Sequence, residues 1–370
     1  MRIGIDARTL SKRMTGIGRY TYSVVDNISK FDHQNEYILF SHKKLNYKNN
    51  YIKTVISGIC WLPEKIYSPI WLNFVLPSLL KKYNINILFC PNQLIPLKKL
   101  KCKSIIVIHD VFYLIGNKYH SWLYRFYQKI QLPQSIKKCD KIITISQNSK
   151  SDLLKHYNIQ ADKITVIPNN ADDKFHPLQL SYEEKQLNRQ HLNLPDRYVL
   201  YVGLIENRKN ILGILKIADM VFNTNPEVKT VLIGGAGYGF KNLLPEIQKR
   251  KDHVIYIDYI EDNLINLYYN LAFVFLFPSF YEGFGLPPLE AMQCGLPTLC
   301  SNTSSLKEVV GEDGIAFLPD EYELFTNEIL RLLRNPDYYD EKIQYSLKQS
   351  KNFPLEYSIN KLVQEFNKFK

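Results

Sequence analysis

Short apolar runs alternate with stretches of helical spacing along nearly the whole chain, and this alternation restricts the fold more than any other feature. In the first half the expected strands are residues 2–5, 37–40, 53–56, 85–89, 104–108, 141–145 and 163–167. Between the first two, Ile17, Tyr20, Val24 and Ile28 recur at helical spacing and predict a helix over 18–30. After residue 145, Ser149 with Asp152 three later predicts a capping-box-like helix start running to Tyr157. A second cycle offers strands at 198–202, 230–233, 254–257, 273–277, 297–300 and 315–318, with helices such as 264–271 and 321–333 between them. Strands regularly separated by helices imply parallel sheets with right-handed crossovers. The pattern predicts an α/β chain of two Rossmann-like doubly wound domains, 1–176 and 197–345, facing a central cleft and joined by a polar linker, 177–196. In such sheets ligands bind outside the carboxyl ends of the strands.

The chain has 370 residues, 45% hydrophobic and 22% charged, which suits two ordinary globular cores. No apolar run approaches the roughly 20 residues that cross a bilayer, and "MRIGIDARTL" opens as a strand without a signal-peptide core. The six cysteines lack C-x-x-C spacing, so neither structural zinc nor a disulfide framework is expected, and a reducing cytoplasm is. The net charge of +11 is unevenly spread: residues 1–175 hold 27 Lys and Arg against 11 Asp and Glu, and residues 176–370 hold 20 against 25. The window 41–103 has eleven lysines and one acid, Glu64. Within it "WLPEKIYSPIWLNFVLPSLLKK", 61–82, mixes aromatics and leucines with lysines, which suits an anionic membrane surface. A lysine-rich solvated surface over an ordinary core is the equal alternative. Nucleic acid is not an expected partner, since no helix-turn-helix, RRM or zinc signature accompanies the charge.

The turns after strands carry the chemistry. "TGIGRY" places Gly16 and Gly18 before a helix, where bare amides meet anions or simply make a turn. "SIIVIHD" ends in His109 and Asp110, a polar pair aimed at the cleft. "LIENRKN" sets Arg208 beside Lys209, a planar fork and a point charge that suit a diphosphate or a solvated loop. "VLIGGAGYGF" puts Gly235, Gly237 and Phe240 at the three G-x-G-x-x-G positions, so the third glycine is missing, while Asp258 stands where a ribose-binding acid is expected. That strand comes second in its domain, where the fingerprint normally comes first, and an NAD-dependent dehydrogenase stays open as the lesser alternative.

The segment "FPSFYEGFGLPPLEAMQCGLPTL" places Glu282 on a loop after a strand and Glu290 eight residues on. Pro287 or Pro288 at the first helical position would put Glu290 in the first turn of the next helix. The amides of Gly283, Phe284, Gly285 and Leu286 with the helix dipole would form an anion site. Glu282 would then meet sugar hydroxyls and Glu290 a ribose. Two-carboxylate hydrolysis is the competing chemistry, and a plain dipole-complementing role is the bland one for Glu290.

With "RKN", "HD", "GIGRY", "ISQNSKSDL" and "KITVIPNN" in order along the chain, E-x7-E as "EGFGLPPLE" resembles the retaining GT-B glycosyltransferases of family 4. The resemblance implies metal-independent transfer of a sugar from a nucleoside diphosphate, with no cofactor. It implies that Arg208 and Lys209 hold the diphosphate, Glu282 the sugar and Glu290 the ribose. Gly16 and Gly18 would lie over the phosphates and His109 beside the reacting sugar. Gly235 and Asp258 would lie along the donor, and Asp110 near the acceptor. The stretch 352–370 is similar to a helix that packs back on the first domain. Two departures are "PNN" where the family has P-N-G, with Asn170 tolerant of the left-handed turn, and Asp258 where it often has glycine. "MRIGIDART", "GIGRYTYSVV" and "SSLKEVVG" are most similar to bacterial O-antigen mannosyltransferases. That likeness implies GDP-mannose as donor, a polyprenyl-diphosphate-linked or oligosaccharide acceptor, and a peripheral position at the inner face of the cytoplasmic membrane.

Overall fold

In the computed structural model every residue is described except 12–15, 48–50, 59–62, 116–121 and 171. The described residues form two compact units, Met1–Ile115 with 122–169 and Pro354–Lys370, and Asn170–Phe353.

The first unit contains β1 (Arg2–Asp6), α1 (Gly16–Phe31), β2 (Glu36–Ser41), β3 (Lys53–Ile56), α2 (Glu64–Ile70), α3 (Leu76–Lys82) and β4 (Ile87–Cys90). It continues through β5 (Lys103–Ile108), α4 (Phe112–Ile115), α5 (Trp122–Lys138), β6 (Lys141–Thr144), α6 (Gln147–His156) and β7 (Ile164–Val166). The strands form one parallel sheet in the order β3-β2-β1-β4-β5-β6-β7. Ile5 lies between Leu39 of β2 and Phe89 of β4, so the chain reverses direction across the sheet at β1. A switch of this kind opens a crevice at the carboxyl ends.

The second unit begins with α7 (Tyr182–His191), β8 (Arg197–Val202), α8 (Ile211–Thr224), β9 (Val228–Ile233), α9 (Phe240–Gln248), β10 (Val254–Ile257) and α10 (Ile265–Leu271). It ends with β11 (Val274–Phe277), α11 (Leu286–Gln293), β12 (Thr298–Ser301), α12 (Leu306–Val310), β13 (Ile315–Phe317), α13 (Tyr322–Arg334) and α14 (Pro336–Ser350). Its sheet is parallel in the order β10-β9-β8-β11-β12-β13, with the switch between β8 and β11. Each expected strand forms, its ends within two residues of the expected ones. The cause is simple: a strand covered by helices on both faces is apolar throughout, and β8 is buried from Tyr198 to Val202.

The last helix, α15 (Leu355–Asn367), belongs to the first unit. Phe366 is fully buried and meets Phe89 edge-on at 5.4 Å, and the Ser358 hydroxyl donates to the Pro168 carbonyl at 2.8 Å.

The fold alters three local expectations. The cap of α6 is Ser146, whose side chain accepts from the Ser149 amide at 3.0 Å; Ser149 sits inside the helix and donates its hydroxyl to the His109 carbonyl at 2.8 Å. The polar stretch 177–196 carries α7, closed by a capping box between Ser181 and Glu184, and lies in the second unit. In the stretch 61–82, of which 61 and 62 lie outside the described residues, most apolar side chains are core. Trp71, Leu72 and Leu76 are fully buried, with a π-helical turn Trp71–Val75 joining α2 to α3. Arg8 anchors this segment, donating to the Ser68 carbonyl at 2.9 Å and lying over the Trp71 ring at 5.3 Å. Ile66, Ile70 and Phe74 are left outward, Phe74 with 73% of its surface exposed. Among the described residues no helix is long and apolar enough to cross a membrane.

Candidate active site

Beyond the carboxyl end of β8 the chain makes a single 3-10 turn, Asn207–Lys209, before α8. This turn presents Arg208 and Lys209 to the loop that follows β11. Lys209 Nζ donates to Glu282 Oε1 at 2.6 Å, and Arg208 Nη1 donates to Glu282 Oε2 at 3.3 Å and to the Tyr281 carbonyl at 2.9 Å. A fourth member was missed in the sequence: Glu206 Oε1 accepts from Arg208 Nε at 3.1 Å and Nη2 at 2.9 Å. Two cations and two carboxylates thus share one site, with Glu282 and Lys209 buried. Burial alone would raise the Glu282 carboxyl, but the Lys209 and Arg208 charges and the Lys209 hydrogen bond outweigh it, so its pKa lies below the ordinary value.

The loop carrying Glu282 is held by residues far away in sequence. The Glu282 amide donates to Ser304 Oγ at 2.9 Å, and Ser305 Oγ reaches the carbonyls of Glu282 at 2.9 Å and Phe284 at 2.8 Å. Asn210, in the left-handed region at φ 57°, joins three segments. Its Oδ1 caps α8 at the Gly213 amide, and its Nδ2 donates to the carbonyls of Pro278 at 3.1 Å and Pro319 at 2.7 Å. Neither role carries a local sequence signal beyond the asparagine of "RKN" and the paired serines of "TSSL".

The E-x7-E partner sits elsewhere. α11 begins at Leu286 with Pro287 second, so Glu290 falls in the second turn rather than the first, because Gly285 at φ 120° already serves as the cap. Glu290 is buried and its Oε2 accepts the Tyr269 hydroxyl at 2.9 Å. Phe284 is buried against Phe353, so it offers a ligand its backbone alone. Asp258 is exposed just past β10, with Oδ1 accepting from the Tyr256 hydroxyl at 3.2 Å.

In the first unit His109 is buried at the end of β5, its Nε2–H directed at the Pro91 carbonyl at 2.7 Å and its ring edge-on to Tyr20 at 5.0 Å. Burial lowers its pKa, opposed in part by the Pro91 carbonyl and the Asp110 charge, which favours a neutral imidazole. Asp110 accepts from the Phe112 amide at 3.0 Å and so shapes the turn into α4. Gly16 and Gly18 open α1, the helix that carries Tyr20.

The glycines separate into two kinds. A Cβ on Gly234, at φ 148°, would lie 1.9 Å from the Gly203 carbonyl oxygen; on Gly237 it would lie 2.7 Å from Glu206 Cβ. Gly234 and Gly237 are therefore glycines because this turn packs on the loop after β8. Gly235 shares this packing, its carbonyl accepting from the Ile205 amide at 2.9 Å. Gly16 differs: a Cβ there meets no described atom within 4 Å, so the fold does not require glycine. Gly234→Ala is expected to lose more than about 3 kcal/mol in denaturant unfolding. Gly16→Ala should change stability far less in the same measurement, by about 0.5 kcal/mol or less.

Residues 14–175 match the family model "Glycosyltransferase Family 4", and residues 183–349 match "Glycosyl transferases group 1". The chain is 30% identical over 294 residues to O-antigen chain mannosyltransferase B of Escherichia coli, covering 79% of this chain and 76% of that protein. It is 26% identical over 271 residues to the O-antigen chain mannosyltransferase RfbU of Salmonella typhimurium, covering 72% and 70%. In fold it is similar to sucrose-phosphate synthase from Thermosynechococcus elongatus, with TM-score 0.79, 18% identity, and 99% and 98% of the two chains covered.

Proposed function

Because the chain belongs to the group 1, family 4 glycosyltransferases and has their GT-B fold, we propose that it moves mannose from GDP-mannose onto a growing bacterial surface polysaccharide. The acceptor in this reading is an oligosaccharide or a polyprenyl-diphosphate-linked sugar, and the anomeric configuration is retained. The observation that carries it is the cluster of Arg208, Lys209 and Glu282 at the carboxyl ends of β8 and β11. The acceptor hydroxyl attacks the anomeric carbon from the face the diphosphate leaves. The new C–O bond forms as the bond to diphosphate breaks, and the hydroxyl proton passes to a diphosphate oxygen. Arg208, Lys209 and the amides of 283–286 meet charge that is larger on the leaving group in the transition state than in the ground state. Glu282 orients the sugar and Glu290 the ribose. Side-chain cations serve in place of a metal, and no cofactor takes part.

Mannose is supported by the names of the two O-antigen relatives. Guanine is supported by Asp258: a carboxylate accepts the two parallel donors on the guanine edge, N1–H and N2–H, whereas uracil offers one N–H flanked by carbonyls. We expect GDP to bind saturably in calorimetry with EDTA present and UDP, ADP and NAD to bind far more weakly. Asp258→Asn should weaken GDP by roughly 10–100-fold, the range for a lost charged hydrogen bond. Binding of UDP in place of GDP would make this a UDP-sugar enzyme of the same fold, and binding of NAD alone would overturn the transferase reading.

The outward Ile66, Ile70 and Phe74 share their unit with exposed Lys53, Lys81, Lys82, Lys98, Lys99 and Lys101. This combination supports docking on an anionic membrane surface, where a lipid-linked acceptor would be met. The chain should sediment with phosphatidylglycerol vesicles at low salt and be released as salt rises. Phe74→Asp with Ile70→Asp should abolish binding, and sedimentation unaffected by both salt and the substitutions would refute docking.

A further inference from the structure

A cavity of about 880 Å³ opens in the second unit. Arg197 begins β8, Phe273 precedes β11 and Leu296 precedes β12, so the cavity lies at the amino ends of strands whose carboxyl ends lead to Arg208 and Glu282. Three cations line it: Lys185 and Arg189, one helical turn apart on α7, and Arg197. Among the described residues none of the three has a carboxylate partner, although exposed Asp196 and Glu227 line the same space. Arg189 Nη2 donates to the Leu271 carbonyl at 3.0 Å, which ties the guanidinium to the end of α10, yet its Nε is buried without a hydrogen-bond partner. An unmet buried donor on a charged group is costly, and a ligand oxygen would satisfy it. One wall is aromatic: Phe273 and Tyr339 stack at 4.7 Å with planes 4° apart, and the Tyr339 hydroxyl donates to the Phe273 carbonyl at 2.9 Å.

We infer that this cavity is a second ligand site, built for a phosphate-bearing small molecule with a ring or apolar body. Two guanidinium forks and one ammonium are more positive donors than a lone carboxylate needs, and they match the several oxygens of a phosphate. The volume suits a small molecule and is too small for a polymer. The site also touches the candidate donor machinery through one side chain. Tyr269 lines the cavity, and its hydroxyl holds Glu290. Occupancy therefore acts on the residue assigned to the donor ribose, a consequence that rests on the proposed function, whereas the site itself does not.

The test uses the full chain and two probes, inorganic pyrophosphate and AMP, titrated calorimetrically. Because the donor site also accepts a diphosphate, the titrations are made on Arg208→Ala. A saturable event is expected to persist there and to weaken at least about tenfold on adding Lys185→Ala and Arg197→Ala, two cations outside the core. The same pair in the otherwise wild-type chain should leave GDP affinity unchanged. Arg189→Ala is avoided as sole test because it also frees the end of α10. Loss of all pyrophosphate and AMP binding in Arg208→Ala, or a remaining event indifferent to the Lys185 and Arg197 substitutions, would overturn the second site. Failure of the donor reading appears separately, as a GDP affinity that Arg208→Ala leaves unchanged in a chain already carrying Lys185→Ala and Arg197→Ala.

Discussion

Glu282→Ala is expected to abolish sugar transfer and to destabilise the fold by about 3–5 kcal/mol, because it leaves a buried ammonium without its counter-charge. Lys209 Nζ lies 2.6 Å from Glu282 Oε1 and 5.0 Å from the Phe277 ring centroid, so removal of the carboxylate leaves it facing an aromatic wall. Arg208 suffers less, since Glu206 still accepts two of its hydrogen bonds. The paired change Glu282→Leu with Lys209→Met should restore most of the stability and none of the activity, since apolar replacement of a whole buried pair is often neutral. Denaturant unfolding and a transfer assay on the same preparations separate the two effects. Wild-type turnover in Glu282→Ala would remove this residue from the site.

The same carboxylate sets a pH dependence. Its folded pKa is below the unfolded one, through the Lys209 and Arg208 charges acting against burial. Its contribution to stability is therefore complete above the unfolded carboxylate value, about 4.3, and is lost as pH falls through the lower folded value. As pH falls below about 5 the stability gap between wild type and Glu282→Gln should shrink. A gap that closes near neutrality would show that another group controls this pair.

Arg208 carries the second large effect. Its guanidinium spans three partners at once, Glu206, the Tyr281 carbonyl and Glu282, a geometry that one ammonium cannot reproduce. Arg208→Lys should weaken nucleoside diphosphate binding nearly as much as Arg208→Ala, by about 100-fold, the scale of losing a bidentate charge-assisted contact. Arg208→Ala should also lower stability, because it leaves the largely buried Glu206 carboxylate without its cation, whereas Arg208→Lys keeps the charge. Full affinity in Arg208→Lys would mean that positive charge alone, not the fork, is read at this position.

Much of this site was legible before any fold was known. Strand runs buried on both faces announce themselves as apolar stretches, and in parallel α/β sheets function collects where those runs end. Arg208, Lys209 and Glu282, which the second unit brings together, follow from that rule, as does the order of the elements. What escaped was whatever depended on a distant partner. Glu206 reads as one more charge until the turn folds it onto Arg208, and Asn210 as a helix cap until Pro278 and Pro319 arrive from two other loops. Ser304 and Ser305 hold the Glu282 loop from more than twenty residues away.

The segment 61–82 and the "GGAGYG" turn show the same division. Composition placed aromatics and lysines together but could not say that Trp71 faces the core while Phe74 faces water, a distinction made by the helix rotation that Arg8 fixes. Glycine content suggested a phosphate loop, whereas Gly234 is glycine because a neighbouring carbonyl occupies the place of its side chain. Chain-local patterns thus determined the two parallel sheets, the order of their strands along the chain and the strand-end residues, since hydrophobic periodicity and turn chemistry act over a few positions. Tertiary structure alone decided which charges meet, which aromatics stay exposed and where the second-unit cavity opens, because those depend on side chains brought together from distant parts of the chain.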